Sequence, residues 1–259
     1  AFGVDTLSRR IYTIKVKDLG TGKMYPDKIH GVNSYTTWAS DSKTMFYTGK
    51  DEQTLRSDKI FRHTLGESQD DDTLVYEEKD ETFSTYVYPS KSREYIMISS
   101  TSTMATEYRF LSSKTPLESF KVLQKRERGL EYSPSHVGDM FYISTNIDES
   151  TNFKLVKTPI TSTEKSNWKD VIPHREDVLI EDTDFFNDFM VIGERSNGLL
   201  KIRIKSWDGK EDYYLDLSSQ FDFENEAYSA SIGYNPNFQT NFLRYSYTSL
   251  TTPYSVIDY

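Results

Sequence analysis

The chain has 259 residues, no cysteine and a net charge of −9, from 40 acidic and 31 basic residues. The absence of cysteine excludes disulfides, thiolate metal sites and a cysteine nucleophile, and the acidic balance disfavours nucleic acids and anionic membranes as partners. Aromatic residues make up 14% of the chain, with 19 Tyr and 15 Phe, which favours a folded protein rich in β-strands.

The compartment is predicted from the cysteine content and the ends of the sequence. No apolar run approaches the ~20 residues that span a bilayer. Residues 1–5 carry neither an initiator Met nor a signal-peptide pattern, which is typical of a processed N-terminus or of a piece of a longer chain. A cysteine-free chain suits a reducing compartment, so we expect a cytoplasmic protein, with the periplasm as the alternative.

A polar turn followed by a short apolar strand recurs five times, at intervals of about 45 to 53 residues. The equivalent strand positions are Met45, Tyr95, Met140, Phe189 and Phe242. A repeat of this length, built from strands, is the signature of propeller blades.

The predicted strands follow in chain order. A partial unit at the start has strands at residues 10–17 and 23–25, joined by a turn at 20–22. Four units of four strands follow: 35–38, 39–48, 59–65 and 74–77; then 83–88, 89–98, 107–111 and 120–124; then 130–132, 134–143, 152–156 and 168–172; then 178–182, 184–192, 200–206 and 211–217. The last unit has three strands, at 228–234, 235–245 and 254–259.

These units predict an all-β fold, a β-propeller of four-stranded antiparallel blades within a single domain over residues 1–259. The prediction comprises four complete blades and partial blades at both ends. No stretch shows a sustained helical period, and the charged run at 121–128 is interpreted as a solvated connection between blades.

Six segments resemble oligopeptidase B-type members of the prolyl oligopeptidase family of serine peptidases, in the same order along the chain. They are residues 7–14, 37–47, 74–83, 132–136, 172–176 and 244–253. The resemblance implies a seven-bladed parent propeller, of which this chain is the part from an early blade to the last. It also implies an α/β-hydrolase domain with Ser, Asp and His as the partner domain of the same parent chain.

The resemblance further implies that the propeller admits only short peptides to a buried active site, and that the substrates are short cationic oligopeptides cleaved after Lys or Arg. The sequence itself contains no G-x-S-x-G nucleophile pattern, so we expect no catalytic residue in this chain. No cofactor is expected.

Histidine and aspartate clusters give no metal site either. His30, His63, His136 and His174 lie in different units without ligand spacing, and we interpret them as turn or surface residues. Residues 70–72 are three consecutive aspartates without the pattern of a calcium loop, which favours a solvated acidic loop.

Three carboxylates are candidates for substrate gating or steering, because the first strand of a blade lies innermost in a propeller. Asp80 and Glu81 precede one such strand, and Glu131 lies in another. The alternative is that they only solvate the ends of blades. Trp38, Trp168 and Trp207 are predicted to pack between blades.

Two other functions stay open at this point. One is a stand-alone propeller that serves as a protein-interaction scaffold, although a repeated Trp-Asp ending is missing, since Trp207-Asp208 is unique. The other is a propeller enzyme with its own axial site, which would require a cluster of carboxylates or histidines on inner strands. The ordered resemblance favours the peptidase.

Overall fold

The computed structural model describes residues 1–217 and 227–259. These residues form 21 β-strands, all paired antiparallel, and two short 3-10 turns at Gln69–Asp71 and Lys165–Asn167. The strands belong to two compact units, Ala1–Leu130 and Glu131–Tyr259, and each is described by itself.

The first unit begins with a six-stranded sheet in sequential order. Its strands are β1 (Phe2–Val4), β2 (Tyr12–Lys17), β3 (Met24–Trp38), β4 (Thr44–Lys50), β5 (Ser57–Thr64) and β6 (Thr73–Glu77). β3 is 15 residues long because it pairs with β2 through its first half and with β4 through its second half. Gly31, with φ of 74°, and a register shift between Val32 and Thr36 bend the strand between the two pairings.

A four-stranded sheet completes the first unit. Its strands are β7 (Ser84–Pro89), β8 (Tyr95–Thr101), β9 (Thr106–Ser112) and β10 (Lys121–Gln124). The two sheets share one apolar core, in which Phe46 and Ile60 of the first sheet lie with Ile96 and Ile98 of the second, all fully buried. Burying a side chain of this size stabilises the fold by about 1.5–3 kcal/mol, so this contact between sheets holds the unit together.

The second unit contains three sheets. Two have four strands each: β11 (Tyr132–Val137), β12 (Met140–Thr145), β13 (Lys154–Pro159) and β14 (Lys169–Ile172); then β15 (Leu179–Phe185), β16 (Phe189–Ser196), β17 (Leu199–Ser206) and β18 (Asp212–Tyr214). The third has three: β19 (Tyr228–Ile232), β20 (Arg244–Ser249) and β21 (Ser255–Asp258).

Apolar side chains join neighbouring sheets in the second unit as well. Leu155 and Ile192 lie in a core between the first and second sheets, and Ile202 and Tyr245 lie in a core between the second and third. The strand β17 shows why: Leu200, Ile202 and Ile204 alternate with Lys201 and Arg203, so one face is apolar and the other charged. Each sheet therefore presents its apolar side chains to the sheet beside it.

The all-β class and the four-stranded antiparallel units are confirmed, but both ends of the chain were predicted wrongly. Near the C-terminus, the strand predicted at 235–245 lies outside the strands as far as residue 243, including the repeat position Phe242, and β20 begins at Arg244. Residues 23–25 and 35–38 were assigned to separate blades, whereas they belong to the single strand β3, so the partial blade and the first blade form one sheet. The strand β1 was not predicted because three residues carry no alternation to detect. The single domain over residues 1–259 stays a prediction.

Candidate functional site

The turn between β6 and β7 carries two of the three predicted carboxylates. Asp80 and Glu81 are both exposed there. The Oδ1 atom of Asp80 accepts hydrogen bonds from the Thr82 amide at 3.0 Å and the Thr82 hydroxyl at 2.7 Å, and the Phe83 amide closes the turn onto the Asp80 carbonyl. The bonds from Thr82 lower the pKa of Asp80 below its ordinary value, so this carboxylate is ionised at neutral pH.

A buried ion pair between Glu78 and Arg126 holds this turn in place. Glu78, two residues before Asp80, is almost fully buried, and its Oε1 accepts a hydrogen bond from the Asp80 amide. Its Oε2 binds the guanidinium of Arg126 and the hydroxyl of Tyr76. Burial alone would raise the pKa of Glu78, but the hydrogen bonds from Arg126 and Tyr76 lower it, so the buried carboxylate is charged and paired.

Arg126 connects this ion pair to the next sheet. Its Nη2 atom also lies 3.1 Å from Glu107, and the backbone amide of Arg126 donates to the same carboxylate at 3.0 Å. Arg109 pairs with Glu107 at 2.7 Å and lies 4.0 Å above the ring of Tyr76. Residues 121–128 were predicted to be a solvated connection, which is wrong for Arg126 because two buried carboxylates require its charge.

A second guanidinium holds the backbone of the same turn. Arg56, in the connection from β4 to β5, donates from Nη1 to the carbonyl oxygens of Glu78, Asp80 and Phe83 at 3.2, 3.2 and 2.9 Å. A guanidinium presents several donors in a rigid fork, so one side chain can fix three carbonyl groups at once. Asp80 and Glu81 therefore lie on a turn whose backbone is held rigidly.

Glu131 belongs to the second unit and lies directly before β11, rather than in the first strand as predicted. Its amide donates to the side chain of Asn146 at 2.8 Å, and its carbonyl accepts from the Thr145 hydroxyl at 2.9 Å. The side chain is partly exposed. Each of the three predicted carboxylates thus stands at the start of the first strand of a sheet, and a gating or steering role stays a prediction for all three.

The second unit has a buried ion cluster of its own around Glu194 of β16. Its Oε1 pairs with Arg175 at 2.6 Å and with Arg203 at 3.3 Å, and its Oε2 accepts from the Tyr214 hydroxyl at 2.6 Å. Arg203 also binds Asp212 at 2.6 Å and, with Lys205, lowers the pKa of Asp212 to about 2. Each charge of this cluster lies within 4 Å of an opposite charge of the protein, which is typical of a structural cluster.

Two predictions about histidine and aspartate were wrong. His63 and His136 are buried rather than on the surface. Asp72 is not solvated: its carboxylate accepts from the Tyr47 hydroxyl at 2.7 Å and lies 2.6 Å from the His63 ring. The alternation of β5 turns the His63 side chain inward, where carboxylates from distant positions replace water.

Tryptophan packing agrees with the prediction where two sheets meet. Trp207 packs against Tyr142 in a tilted arrangement at a centroid distance of 4.7 Å and stacks on Phe185 at 6.4 Å, joining two neighbouring sheets of the second unit. Trp207 also lines a cavity of about 590 Å³ in that unit, together with Phe189, Tyr213 and Tyr259. Its mixed apolar and charged wall carries no group of catalytic residues in the described part of the chain.

Residues 1–217 and 227–259 contain no group of three or more His, Cys, Asp or Glu side chains that could hold a metal ion. Among the same residues, no helix has the length and apolar character to cross a bilayer.

Comparisons with known proteins agree with the strand repeat. A family model described as the prolyl oligopeptidase N-terminal beta-propeller domain matches residues 1–259. The chain is 41% identical over 253 residues to dipeptidyl aminopeptidase BI from Pseudoxanthomonas mexicana, covering 98% of this chain and 34% of that protein. It is 30% identical over 244 residues to Protease 2 from Moraxella lacunata, covering 93% of this chain and 34% of that protein.

Two solved structures share the same architecture. Oligopeptidase B from Leishmania major matches with a TM-score of 0.89 at 26% identity, and the closed form of oligopeptidase B from Trypanosoma brucei with covalently bound antipain matches with 0.84 at 26% identity. Each comparison covers 99% of this chain and 36% of the solved chain. The chain thus spans about a third of the length of the proteins it matches.

Proposed function

This chain belongs to the prolyl oligopeptidase family and corresponds to the N-terminal β-propeller domain of its members. We propose that it is the substrate filter of a serine oligopeptidase that cleaves short peptides after Lys or Arg. The observation that carries the proposal is the match of the whole chain to this domain. In this role the chain admits and steers peptides, and a separate α/β-hydrolase domain of the same parent performs the hydrolysis.

The comparisons and the sequence support the proposal that filtering and hydrolysis belong to separate domains. The relatives are named as peptidases, and the chain covers 34% of two of them, so two thirds of their length lies outside the matched region. The chain contains no G-x-S-x-G pattern, so we place the nucleophile in the other domain. Family membership favours a peptidase domain over a stand-alone interaction scaffold. It also supports the predicted propeller fold, because the matched family domain is a β-propeller.

The carboxylates supply the attraction for a cationic peptide. Asp80 is ionised, exposed and held on a turn that Arg56 and Glu78 fix, and Glu81 extends from the same turn. A fixed charge attracts a cation without the entropy cost of ordering a loop, and net charge of −9 adds a long-range field of the same sign. Glu131 makes the third charge in this proposal.

The steering role is tested in the complete peptidase with the triple variant Asp80→Asn, Glu81→Gln and Glu131→Gln. We expect kcat/KM for a short Lys-ended peptide to fall about tenfold at low salt, with a smaller loss at high salt. A Lys-ended peptide of the same length, made neutral overall by acidic residues away from the cleavage site, should lose much less. The matched control removes three exposed carboxylates elsewhere, through Glu67→Gln, Glu118→Gln and Asp139→Asn.

Equal losses in the steering and control triples would reject the local role of the three carboxylates. An unchanged ratio between cationic and neutral peptides would reject steering altogether. Size filtering is tested separately, by comparing cleavage of the same Lys-containing site in a short peptide and in a folded protein.

The 41% identity to a dipeptidyl aminopeptidase favours a second specificity for the same parent. In this version the enzyme removes dipeptides from a free amino end, and the carboxylates bind the terminal ammonium group rather than a Lys or Arg side chain. Peptides with a free and with an acetylated N-terminus separate the two proposals. Loss of cleavage on acetylation supports the aminopeptidase, and equal cleavage supports the oligopeptidase.

The cytoplasm is the proposed compartment, with the periplasm as the alternative. The absence of cysteine supports a reducing environment, since the fold has no disulfide to form. Fractionation of the source cells, with activity followed in each fraction, tests this assignment. Activity released by outer-membrane permeabilisation alone would overturn it.

A further inference from the structure

A buried histidine in the first unit lies between two buried carboxylates. The Nδ1 atom of His63 is 2.6 Å from Oδ1 of Asp72, and its Nε2 atom is 3.0 Å from Oδ1 of Asp27. The three side chains are 1%, 3% and 0% exposed respectively. Both ring nitrogens of this imidazole therefore meet a carboxylate oxygen where water has no access.

The hydrogen-bond pattern around the carboxylates decides where the proton resides. Asp72 accepts from the Tyr47 hydroxyl on its other oxygen, so both of its oxygens act as acceptors. Oδ1 of Asp27 also accepts from the Gly66 amide at 2.6 Å, and Oδ2 has no hydrogen-bond partner among the residues described. A proton on that oxygen would have no acceptor, whereas an imidazolium donates from both nitrogens.

We infer that His63 is held as an imidazolium and acts as a protonation-dependent latch between β3 and the connection from β5 to β6. A neutral imidazole has one donor and one lone pair, so deprotonation turns one of the two hydrogen bonds into a repulsive contact with a carboxylate. Loss of the proton therefore releases either Asp27 or Asp72.

The latch closes a contact that the sheet itself does not provide. β4 lies between β3 and β5, so the first half of β3 has no ladder to β5 or its following connection. Beside the latch, the Gly66 amide binds Asp27, and the side chain of Gln69 binds both the amide and the carbonyl of His30. These hydrogen bonds join residues 27–30 to residues 63–72. Within this group, His63 is the side chain that loses a proton as the pH rises.

Two carboxylates face His63: Asp27 from β3 and Asp72, which follows the 3-10 turn. The phenol of Tyr47 from β4 is neutral and binds Asp72. Burial lowers the pKa of His63, but the bonds and charges of Asp72 and Asp27 outweigh it, so the pKa is raised above 6.5. Burial also raises the pKa of Tyr47, which keeps the phenol protonated. Asp70 and Asp71 of the 3-10 turn are exposed.

The sign of the pH dependence follows from these directions. Since the folded pKa of His63 is raised, the latch contributes fully below pH 6.5 and is lost as pH rises through the raised value. The pKa of Asp27 is lowered, so on the acid side its contribution is lost only as pH falls through a value below 3.8. The latch is closed between these limits.

The direct test needs no variant. Nitrogen-15 NMR of the imidazole in the full chain at about pH 7 should show protons on both ring nitrogens of His63. A single tautomer of a neutral ring at that pH would overturn the proposal. This result is independent of substrate steering, so it stands or falls separately from the proposed function.

The opening of the latch is tested by hydrogen exchange in His63→Gln, because glutamine is neutral and carries both of its N–H donors on one nitrogen, whereas the imidazolium meets one carboxylate at each ring nitrogen. We expect the Gly66 amide to exchange about tenfold faster or more than in the unmodified chain, relative to the Ala39 amide of the same unit. His30→Gln, at an exposed ring, is the matched control and should leave this ratio unchanged.

The same ratio is measured in the unmodified chain as pH rises from about 7 to about 10, which covers the case in which the variant does not fold. The Gly66 amide should lose protection relative to Ala39 over that range. A ratio that is flat with pH, or that changes equally in both histidine variants, would contradict the latch.

Discussion

The guanidinium of Arg126 lies 4.0 Å above the ring of Phe83 while its Nη2 atom binds the carboxylate of Glu78. Phe83 and Glu78 stand at the two ends of the turn that carries Asp80 and Glu81, so one side chain holds both ends of that turn. A guanidinium suits this position because its flat face packs on an aromatic ring while its edge donates hydrogen bonds.

Removing the charge of Arg126 should destabilise the first unit. Arg126→Met keeps the apolar stem but leaves Glu78 and Glu107 buried with fewer donors, and we expect a loss of about 3 kcal/mol in the free energy of unfolding. Urea unfolding followed by circular dichroism measures the change. Lys125→Met, at the exposed neighbouring position, is the control. A loss no larger than that of the control would show that the ion pair does not stabilise the unit.

Stability should also fall in acid through the same carboxylates. The pKa values of Glu78 and Glu107 are both lowered from 4.5, because the bonds from Arg126 outweigh burial. Their contribution is therefore complete above pH 4.5 and is lost as pH falls through the lowered values. Urea midpoints measured from about pH 6 down to about pH 3 should drop less steeply in Glu78→Gln than in the unmodified chain. Parallel curves would count against this source of the acid sensitivity.

Gly49 of β4 should not tolerate a methyl group. A Cβ atom there would come within 2.9 Å of the Phe61 ring, which stacks on Tyr47 at 5.3 Å and is not free to move away. Gly49→Ala should therefore cost about 1–3 kcal/mol by overpacking. At Gly193 the nearest atom would be 3.5 Å away, an ordinary contact, so Gly193→Ala serves as the control. Similar thermal midpoints for both variants would refute the steric argument.

Trp207 should anchor the contact between two sheets of the second unit. Trp207→Ala removes its ring contacts with Tyr142 and Phe185 and the hydrogen bond from its indole nitrogen to the Phe186 carbonyl, at a cost of about 3 kcal/mol. Trp207→Phe keeps a ring without the N–H and should lose less. Tyr234→Ser, at a side chain that is 81% exposed, should leave stability within about 0.5 kcal/mol. An equal effect of all three would exclude a packing role.

The strand repeat could be predicted from the sequence because it depends on local patterns. In β17, apolar and basic residues alternate, and every strand of the three later four-stranded sheets overlaps a predicted strand, although residues 134–137, predicted to open a second strand, belong to β11. The strand β3 was missed because its length is set by pairing with two different neighbours. Alternation alone does not report which partners a strand has.

The buried charges could not be predicted from a single sequence. Asp27 is 36 positions from His63, and Glu78 is 48 positions from Arg126, so no local motif joins either pair. The sequence carried only part of the signal. The alternation of β5 places His63 on the inward face and so indicates that it is buried, but it does not indicate which residues contact it. The positions of Asp80, Glu81 and Glu131 near the starts of first strands could be predicted, because they depend only on the local strand pattern, while their gating or steering role stays a prediction.

The continuity of β3 matters for anyone who divides this protein into shorter pieces. A boundary placed between residues 25 and 35, where the repeat suggests a gap between blades, would cut through the middle of one strand. Such a cut would leave β1 and β2 with the first half of β3 and β4 to β6 with the second half, so the six-stranded sheet would be divided into two smaller sheets, each ending in a short edge strand that invites pairing between molecules. A truncation meant to isolate later sheets should begin after Leu130, at the boundary between the two compact units, because a cut between β6 and β7 would open the apolar core that the first two sheets share.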